Sequence, residues 1–318
     1  MIGLHCQDMT CLRYLIPVYK ALIRAKKPCQ FFVKTSAAPE KYNSFYRNSE
    51  RIIQILRDNN IEAYDVSNAA KVKLKTIVTI ETIGHEHYIY DNHLSIGHGF
   101  DCWNFGKKVA DLENTKYIFH NQEVADFSLK EYGAQSVVLD TPIVFWEIQD
   151  TLDIGKKYLR HLGIDPENDR IATIFYPDKD HQDDALQVYK SLIEKGYKVL
   201  VKQRRKYQSI KDDVDNKIYD SIWYPTEASI LPIFSDLNIS FGSSCFLECS
   251  FLKSCYINNL CPAYSRDYVV PQSQNIHTNV DDFVKRTLNQ VRDYGDESLS
   301  FYKVKDRHSS INSDVSIF

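Results

Sequence analysis

The stretch SDLNISFGSSCFLECSFLKSCYINN, residues 235–259, decides the fold that we predict for this chain. It begins with a short apolar run and then turns through Gly242-Ser243-Ser244. A segment with small or apolar residues on one face follows, and Glu248 is the carboxylate within it. A second apolar run, Cys255-Tyr256-Ile257, ends the stretch. This order predicts a strand, a turn, a helix and another strand, which is the repeating unit of a parallel α/β sheet.

The Gly242-Ser243-Ser244 turn has two interpretations. As the first turn of a helix it offers free backbone N–H groups, two hydroxyls and the positive end of the helix dipole, which together suit an anion. Ser243 or Ser244 could equally be an ordinary N-cap whose hydroxyl satisfies a backbone N–H group. The turn alone leaves both open.

The same alternation recurs along the chain in two blocks. In the first block, helical patterns lie at residues 10–25, 49–59 and 122–132. Strand patterns alternate with them at residues 2–5, 30–34, 61–66, 77–80, 116–120 and 136–139, and residues 88–90 could form another strand. After a lone helix at residues 150–162, the second block has strand patterns at residues 170–175, 198–202 and 220–223 and helical patterns at residues 183–195, 226–234 and 280–294. We therefore predict an α/β protein with two facing Rossmann-like, doubly wound domains and a cleft between them. The predicted divisions are residues 1–145, a linker helix at 146–165, residues 166–300 and a loosely held tail at 301–318.

Composition narrows the class of protein. The chain has 318 residues, enough for one large or two ordinary domains, and its net charge of −3 argues against a nucleic-acid partner. The amino terminus lacks a secretory signal pattern and the sequence has no apolar run of membrane-spanning length. The eight cysteines include no paired C-x-x-C motif, so we expect reduced thiols and a cytoplasmic location.

The first block contains a candidate base. His98 lies between Gly97 and Gly99 after a short apolar run, and glycines allow a tight turn and close approach of a substrate. An imidazole at the end of a strand suits general-base work because its pKa is near neutral; the alternative is a surface-loop histidine. Asp8, after the first strand, is an alternative candidate base, although an N-cap of the following helix is the more ordinary role.

Two further groups could line the cleft. His85, Glu86, His87, Asp91 and His93 contain metal-ligand residue types, and we expect His85 and His87 to share one face of a strand. For the group as a whole we expect a polar cleft loop and no metal. Tyr224 and Thr226 precede a helix and could contact a nucleobase, or Thr226 could simply cap that helix.

The His98-Gly99 loop and the stretch at residues 235–259 together resemble the motifs of a known family. His98-Gly99 and the series Ser235-Asp236, Gly242-Ser243-Ser244, Glu248 and Lys253 resemble GT-B glycosyltransferases, in particular the CDP-glycerol glycerophosphotransferases and the bacterial capsule and lipopolysaccharide sugar transferases. This resemblance implies an amino-terminal acceptor-side domain, with His98 as base and Asp8, Gly97 and Gly99 near the acceptor. It also implies a carboxy-terminal donor domain, in which the serine turn holds the donor phosphates and Glu248 accepts hydrogen bonds from ribose.

The implied reaction moves a group from a nucleotide-activated donor to a glycan or lipid-linked acceptor without a metal or other cofactor. It leaves open an association with the inner face of a membrane. For Glu248 the alternative is a solvated helix carboxylate.

The sequence also departs from the family pattern. Lys202-Gln203-Arg204-Arg205 stands where the family has a Lys-x-His-Pro motif, and Ser254 stands where a proline is usual. Arg204 or Arg205 could bind a donor phosphate, or both could belong to a solvated basic loop. A UDP-N-acetylglucosamine 2-epimerase on the same fold and a non-catalytic nucleotide- or glycan-binding protein are the alternatives.

Overall fold

A computed structural model supplies the structure of the chain. It describes residues 1–34, 46–97, 112–119, 122–176, 182–203, 214–215, 217–219, 224–241, 243, 245–249, 251–252, 256–260, 299–303 and 314–318. Two sheets, each built mainly from parallel strands, form the framework of this part of the chain. The predicted α/β class is therefore confirmed.

The first sheet has seven strands within the described residues, in the order β3-β2-β1-β4-β5-β6-β7. All of its pairs are parallel. The strands are β1 Ile2–Cys6, β2 Cys29–Val33, β3 Ala63–Asp65, β4 Lys73–Ile80, β5 Ile89–Ile96, β6 Thr115–Phe119 and β7 Ser136–Val138. Strand order runs outward in both directions from β1 and β4, as in doubly wound sheets.

Helices α1 Leu12–Arg24, α2 Ser49–Asp58 and α3 Gln122–Tyr132 belong to this half. The helix predicted from residue 10 begins as a 3-10 turn, Met9–Cys11, before α1. The Asp8 side chain accepts a hydrogen bond from the Thr10 backbone N–H at 2.9 Å, so the turn is capped as Asp residues commonly cap helices. Leu12, Leu15 and Leu22 bury one face of α1 in the main core.

The connection from β4 to β5 is unusually short. Residues 81–88 form it, with a 3-10 turn at His85–His87, whereas crossovers between parallel strands generally need at least 10 to 12 residues. Our expectation that His85 and His87 share one face of a strand was wrong. Gly84 has φ 84° and lies against His5, where a Cβ would be 2.1 Å from Nε2, so the chain can cross the sheet here only with glycine.

The second sheet has six strands within the described residues, in the order β10-β9-β8-β11-β12-β13, and β13 alone among them is antiparallel to its neighbour. The strands are β8 Ile171–Tyr176, β9 Lys198–Gln203, β10 Lys217–Tyr219, β11 Leu237–Ser240, β12 Tyr256–Leu260 and β13 Leu299–Lys303. The strand predicted at residues 220–223 and the helix predicted at residues 280–294 lie outside the described residues.

Four helices complete the described part of the chain. They are α4 Ile148–His161, α5 Gln182–Glu194, α6 Glu227–Phe234 and α7 Cys245–Cys249. Helix α4 joins the halves and packs closely on α6 because Gly155 has no side chain; a Cβ there would lie 2.4 Å from the Phe234 ring. The predicted boundaries of the two domains and of the linker stay predictions.

The carboxy-terminal residues pack on the first half of the molecule. Val315, Ile317 and Phe318 contact the main core. Lys27 Nζ donates to the carbonyl oxygen of Phe318 at 3.2 Å and to that of Val315. Our expectation of a loosely held tail was therefore wrong for residues 314–318.

The main hydrophobic core is shared by both halves. It contains Leu15 from α1, Leu159 from α4 and Phe175 from β8, while a second core under α5 contains Ile174 and Val199. Within the described ranges, no helix is long and apolar enough to cross a membrane.

Candidate functional site

Helix α1 carries a charged face that connects the two halves. Its basic residues Arg13, Lys20 and Arg24 are seven and four positions apart, a spacing that places side chains on one face of a helix. Lys20 pairs with Asp150 of α4 at 3.1 Å, and Arg24 pairs with Glu147, the residue before α4, at 2.5 Å.

The third pair is buried and spans the two sheets. An Arg13 nitrogen, Nη2, donates to Oε2 of Glu248, and the Tyr14 hydroxyl donates to Oε1 of the same carboxylate at 2.8 Å. Arg13, Tyr14 and Glu248 are 8%, 1% and 4% exposed. Both oxygens of the residue predicted to bind ribose are thus bonded to the first half of the molecule. The alternative of a solvated helix carboxylate was wrong, because Glu248 is enclosed.

The ionisation of this cluster follows from its surroundings. Burial is the largest influence on Arg13 and lowers its pKa, but the Glu248 carboxylate, Tyr14 and Cys245 together outweigh burial, so the pKa is raised overall. Burial raises the pKa of Tyr14 well above its ordinary value, and the Glu248 carboxylate adds to the effect. Tyr14 is therefore a neutral donor and Arg13 a cation across the physiological range.

Arg13 makes two other contacts in the second half. Its Nη2 donates to the carbonyl oxygen of Ala228 at 3.3 Å, and Nη1 lies 4.0 Å from Sγ of Cys245. Because α1 follows β1 and α7 follows β11, these contacts bring the carboxyl ends of both central strands to one boundary. Ligands of doubly wound sheets bind beyond such strand ends.

The serine turn before α7 is held by hydroxyl groups. Ser240 Oγ accepts from the Ser243 N–H at 2.8 Å and donates to the Ser243 carbonyl oxygen at 3.0 Å. Ser243 Oγ accepts from the Cys245 N–H at 3.4 Å, which is the geometry of a weak N-cap. Gly242 and Ser244 lie outside the described residues, so anion binding at this turn stays a prediction.

The start of the same motif lies at the opposite end of β11. Ser235 Oγ donates to the Leu231 carbonyl oxygen at 2.8 Å, and it lies 2.7 Å from Thr173 Oγ1. Asp236 Oδ2 accepts from the Ile171 N–H at 2.8 Å. These two residues therefore fasten α6 and β11 to β8, away from the serine turn.

The candidate base region is described only up to Gly97. His98 and Gly99 lie outside the described residues, and their roles stay predictions. Gly97 follows β5 and donates its N–H to the Ile118 carbonyl oxygen at 3.0 Å. A Cβ at this position would lie 2.2 Å from the Tyr117 ring, so the close packing of this strand end requires glycine.

Asp8 accepts hydrogen bonds from the Thr10 backbone and from the Thr10 hydroxyl, the latter at 2.5 Å. These bonds make it the cap that we gave as its more ordinary role. Its assignment to the acceptor side stays a prediction.

Two histidines of the first sheet, His5 in β1 and His93 in β5, are buried and lie close to hydroxyl groups. His5 Nδ1 lies 2.7 Å from the Tyr88 hydroxyl, and His93 Nε2 lies 2.8 Å from the Thr79 hydroxyl. Burial lowers the pKa of His5 to about 4 and that of His93 to about 3, so both are neutral at pH 7. The described residues contain no group of three or more His, Cys, Asp or Glu side chains that could hold a metal ion.

The remaining candidates are only partly described. Tyr224 is buried beside α1, with Lys20 Nζ 5.6 Å from its ring centre, and burial raises its pKa. Thr226 is the N-cap residue of α6, but no hydrogen bond from a helix N–H to its side chain is present. Contact of these two with a nucleobase stays a prediction. Arg204 and Arg205 lie outside the described residues.

The sequence interpretation missed Arg13 and Tyr14. The signal was present, since Arg13 interrupts the apolar start of α1 and shares a helix face with Lys20 and Arg24. No local sequence pattern predicts that the partner of Arg13 is Glu248, which lies 235 positions later in the chain.

Comparison with known proteins connects this geometry to a fold. Protein-family models and curated proteins gave no match to the sequence. Among solved structures, the wall teichoic acid polymerase TagF, studied as its H548A variant, is 12% identical, with a TM-score of 0.55 over 92% of this chain and 81% of that one. The UDP-N-acetylglucosamine 2-epimerase from Rickettsia bellii is 11% identical, with a TM-score of 0.50 over 75% of this chain and 73% of that one. The predicted GT-B type of fold is confirmed.

Proposed function

We propose that the chain is a transferase that moves a sugar, or a sugar-like phosphate group, from a nucleotide-activated donor to a glycan or lipid-linked acceptor. The observation that carries the proposal is the meeting of the carboxyl ends of β1 and β11 at the Arg13–Glu248 contact in a two-sheet GT-B fold. Similarity to a wall teichoic acid polymerase over most of both chains supports the choice of a glycan or lipid-linked acceptor in this proposal.

The proposed reaction assigns one role to each side of the boundary. The acceptor oxygen attacks the transferred group, its proton passes to His98, and the bond from that group to the nucleotide phosphate oxygen breaks. The leaving nucleotide keeps the electron pair, and hydrogen-bond donors at the serine turn stabilise its charge. The residues assigned to the donor are Gly242, Ser243, Ser244, Arg204 and Arg205 for phosphates, Glu248 for ribose, and Tyr224 and Thr226 for the base. Asp8, Gly97 and Gly99 are assigned to the acceptor side.

A sugar-nucleotide 2-epimerase is the second candidate, because the Rickettsia epimerase has the same fold over three quarters of this chain. The two functions differ in their products. A transferase releases free nucleotide when an acceptor is present, whereas an epimerase returns an isomerised nucleotide sugar. A non-catalytic binding protein leaves the nucleotide-activated donor unchanged.

Incubation of the purified chain with UDP-, GDP- and CMP-sugars and with CDP-glycerol tests the proposal. Chromatography of the nucleotide products, with and without a glycan or lipid-linked acceptor, separates the three outcomes. We expect acceptor-dependent release of one free nucleotide. An isomerised donor, or a donor that is bound and unchanged, would overturn the transferase assignment.

The base assignment has its own variant. His98→Ala should lower the rate of transfer by at least about a hundredfold, the lower end of what general-base catalysis contributes, and leave nucleotide affinity nearly unchanged. Gln122→Ala, on the surface of α3, is the matched control because its side chain bonds only to Asp126 of the same helix among the described contacts. Full transfer activity in His98→Ala would remove the assignment.

A further inference from the structure

Glu248 has a proposed role and a set of contacts that exclude one another. A carboxylate is an acceptor with two oxygens, and a ribose diol bonded to it must reach those oxygens. In the structure, Oε1 accepts from Tyr14 and Oε2 accepts from Arg13, and the residue is 4% exposed. No ribose can approach the carboxylate while the start of α1 remains where it is.

The contact of Arg13 and Tyr14 with Glu248 is placed so that it can break while the rest of α1 stays attached to the protein. The other two charged pairs of this helix, made by Lys20 and Arg24, go to Asp150 and Glu147 at the start of the linker helix and not to α7. They lie two to three turns further along α1, so they can hold the helix on the linker while its first turn releases Glu248.

We propose that Arg13 and Tyr14 are positioning residues of the donor site, which hold Glu248 until the ribose of a nucleotide takes their place. This inference rests on the proposed function, since it requires that a nucleotide binds at Glu248. The exchange replaces two protein donors on the carboxylate by two ribose hydroxyls. The apparent nucleotide affinity is then the intrinsic affinity multiplied by the fraction of molecules in which Arg13 and Tyr14 have released Glu248.

Weakening the contact of Tyr14 with Glu248 should therefore strengthen nucleotide binding. Tyr14→Phe removes one hydroxyl and keeps the ring, so it weakens the hold on Glu248 and leaves the packing of α1 intact. A hydrogen bond to a charged group is strong enough for its loss to raise nucleotide affinity by about tenfold. Arg13→Lys keeps the charge but loses the planar fork, and a smaller gain is expected.

Titration calorimetry with UDP, CDP and GDP, each in its ribose and 2′-deoxyribose form, tests the exchange. We expect Tyr14→Phe to bind at least one ribonucleotide about tenfold more tightly than the wild type. The gain should shrink for the 2′-deoxy form and vanish in Glu248→Gln/Tyr14→Phe. Arg24→Met, on the same helix face, should bind within about twofold of the wild type because its pair with Glu147 does not touch Glu248.

The outcomes distinguish this inference from the function on which it rests. Failure of both the wild type and Tyr14→Phe to bind any of the three ribonucleotides would overturn the proposed function. Binding by the wild type with equal or weaker binding by Tyr14→Phe would overturn only the exchange, because a merely structural role of Tyr14 predicts that loss. An equal gain for ribose and 2′-deoxyribose forms would also overturn it.

Discussion

Arg13 and Glu248 form the buried ion pair that joins the two halves of the molecule. Such a pair gains little over an apolar contact, because both charges leave water when the protein folds. Removing one partner is different, since the other charge is left buried without compensation. We therefore expect the pair to contribute more to the specific position of α1 relative to α7 than to stability.

Arg13→Met should destabilise the chain by about 3 kcal/mol, because Glu248 would be left in a buried site without its partner. Lys20→Met is the matched control on the same helix, because its partner Asp150 has a side chain that is 53% exposed, and the effect should stay below about 1 kcal/mol. Urea unfolding followed by tryptophan fluorescence compares the two. Equal losses in the two variants would contradict the burial argument.

The buried histidines His5 and His93 predict acid sensitivity. Their pKa values fall to about 4 and about 3 because burial penalises the charged form, so the unfolded chain binds protons that the folded one does not. Their contribution to stability is complete above about pH 6.5 and is lost as the pH falls toward those values. At pH 5 each histidine should lower stability by about 2 kcal/mol relative to pH 8.

Urea unfolding of the wild type, His5→Gln and His93→Asn at pH 8 and pH 5 checks this expectation. Each variant replaces the imidazole by a neutral amide that does not titrate, so the difference between the two pH values should be smaller than in the wild type. The same difference in all three proteins would contradict the assignment of acid sensitivity to these side chains.

At the scale of elements, the packing of α4 on α6 depends on one missing side chain. Gly155 lies in the middle of α4, where helix propensity favours alanine by about 1 kcal/mol. An added Cβ, however, would lie 2.4 Å from Phe234 Cε2 and 2.9 Å from Ile230 Cγ2. Steric crowding should therefore outweigh propensity at this position.

Gly155→Ala should destabilise the protein by about 1 to 3 kcal/mol, as overpacked cores commonly do. The double variant Gly155→Ala/Phe234→Leu gives the new methyl group room and should recover part of the loss. Thermal unfolding of both proteins measures the effect. A higher midpoint in Gly155→Ala would show that propensity wins and that the helices can move apart.

The elements themselves were largely predictable from sequence, because hydrophobic periodicity is a local property. The pattern at residues 122–132 predicted α3 with the bounds that the structure has, and the strand predicted at residues 170–175 became β8, Ile171–Tyr176. The 3-10 turn at His85–His87 was not predictable in the same way. Its path is set by contact of Gly84 with His5, a residue of another strand.

At the scale of the whole molecule, the two-sheet architecture followed from the repeated alternation of strands and helices. The candidate site was only half predictable. The resemblance identified Glu248 and the serine turn, but the contact of Glu248 with Arg13 and Tyr14 depends on how the two halves pack, which no local pattern encodes. The same holds for Val315 and Phe318, which belong to the segment predicted as a loosely held tail but pack against the first half.

The central claim is that this fold binds a nucleotide-activated donor, and ligand-dependent thermal unfolding tests it most directly. A ligand that binds only the folded chain raises the unfolding midpoint, and the stabilisation grows with the logarithm of its concentration above Kd. Midpoints are measured for the wild type across a concentration series of CMP, UDP, GDP and CDP-glycerol. The account predicts a rise that follows this concentration dependence for at least one of the four. Unchanged midpoints with all four at millimolar concentration would contradict it.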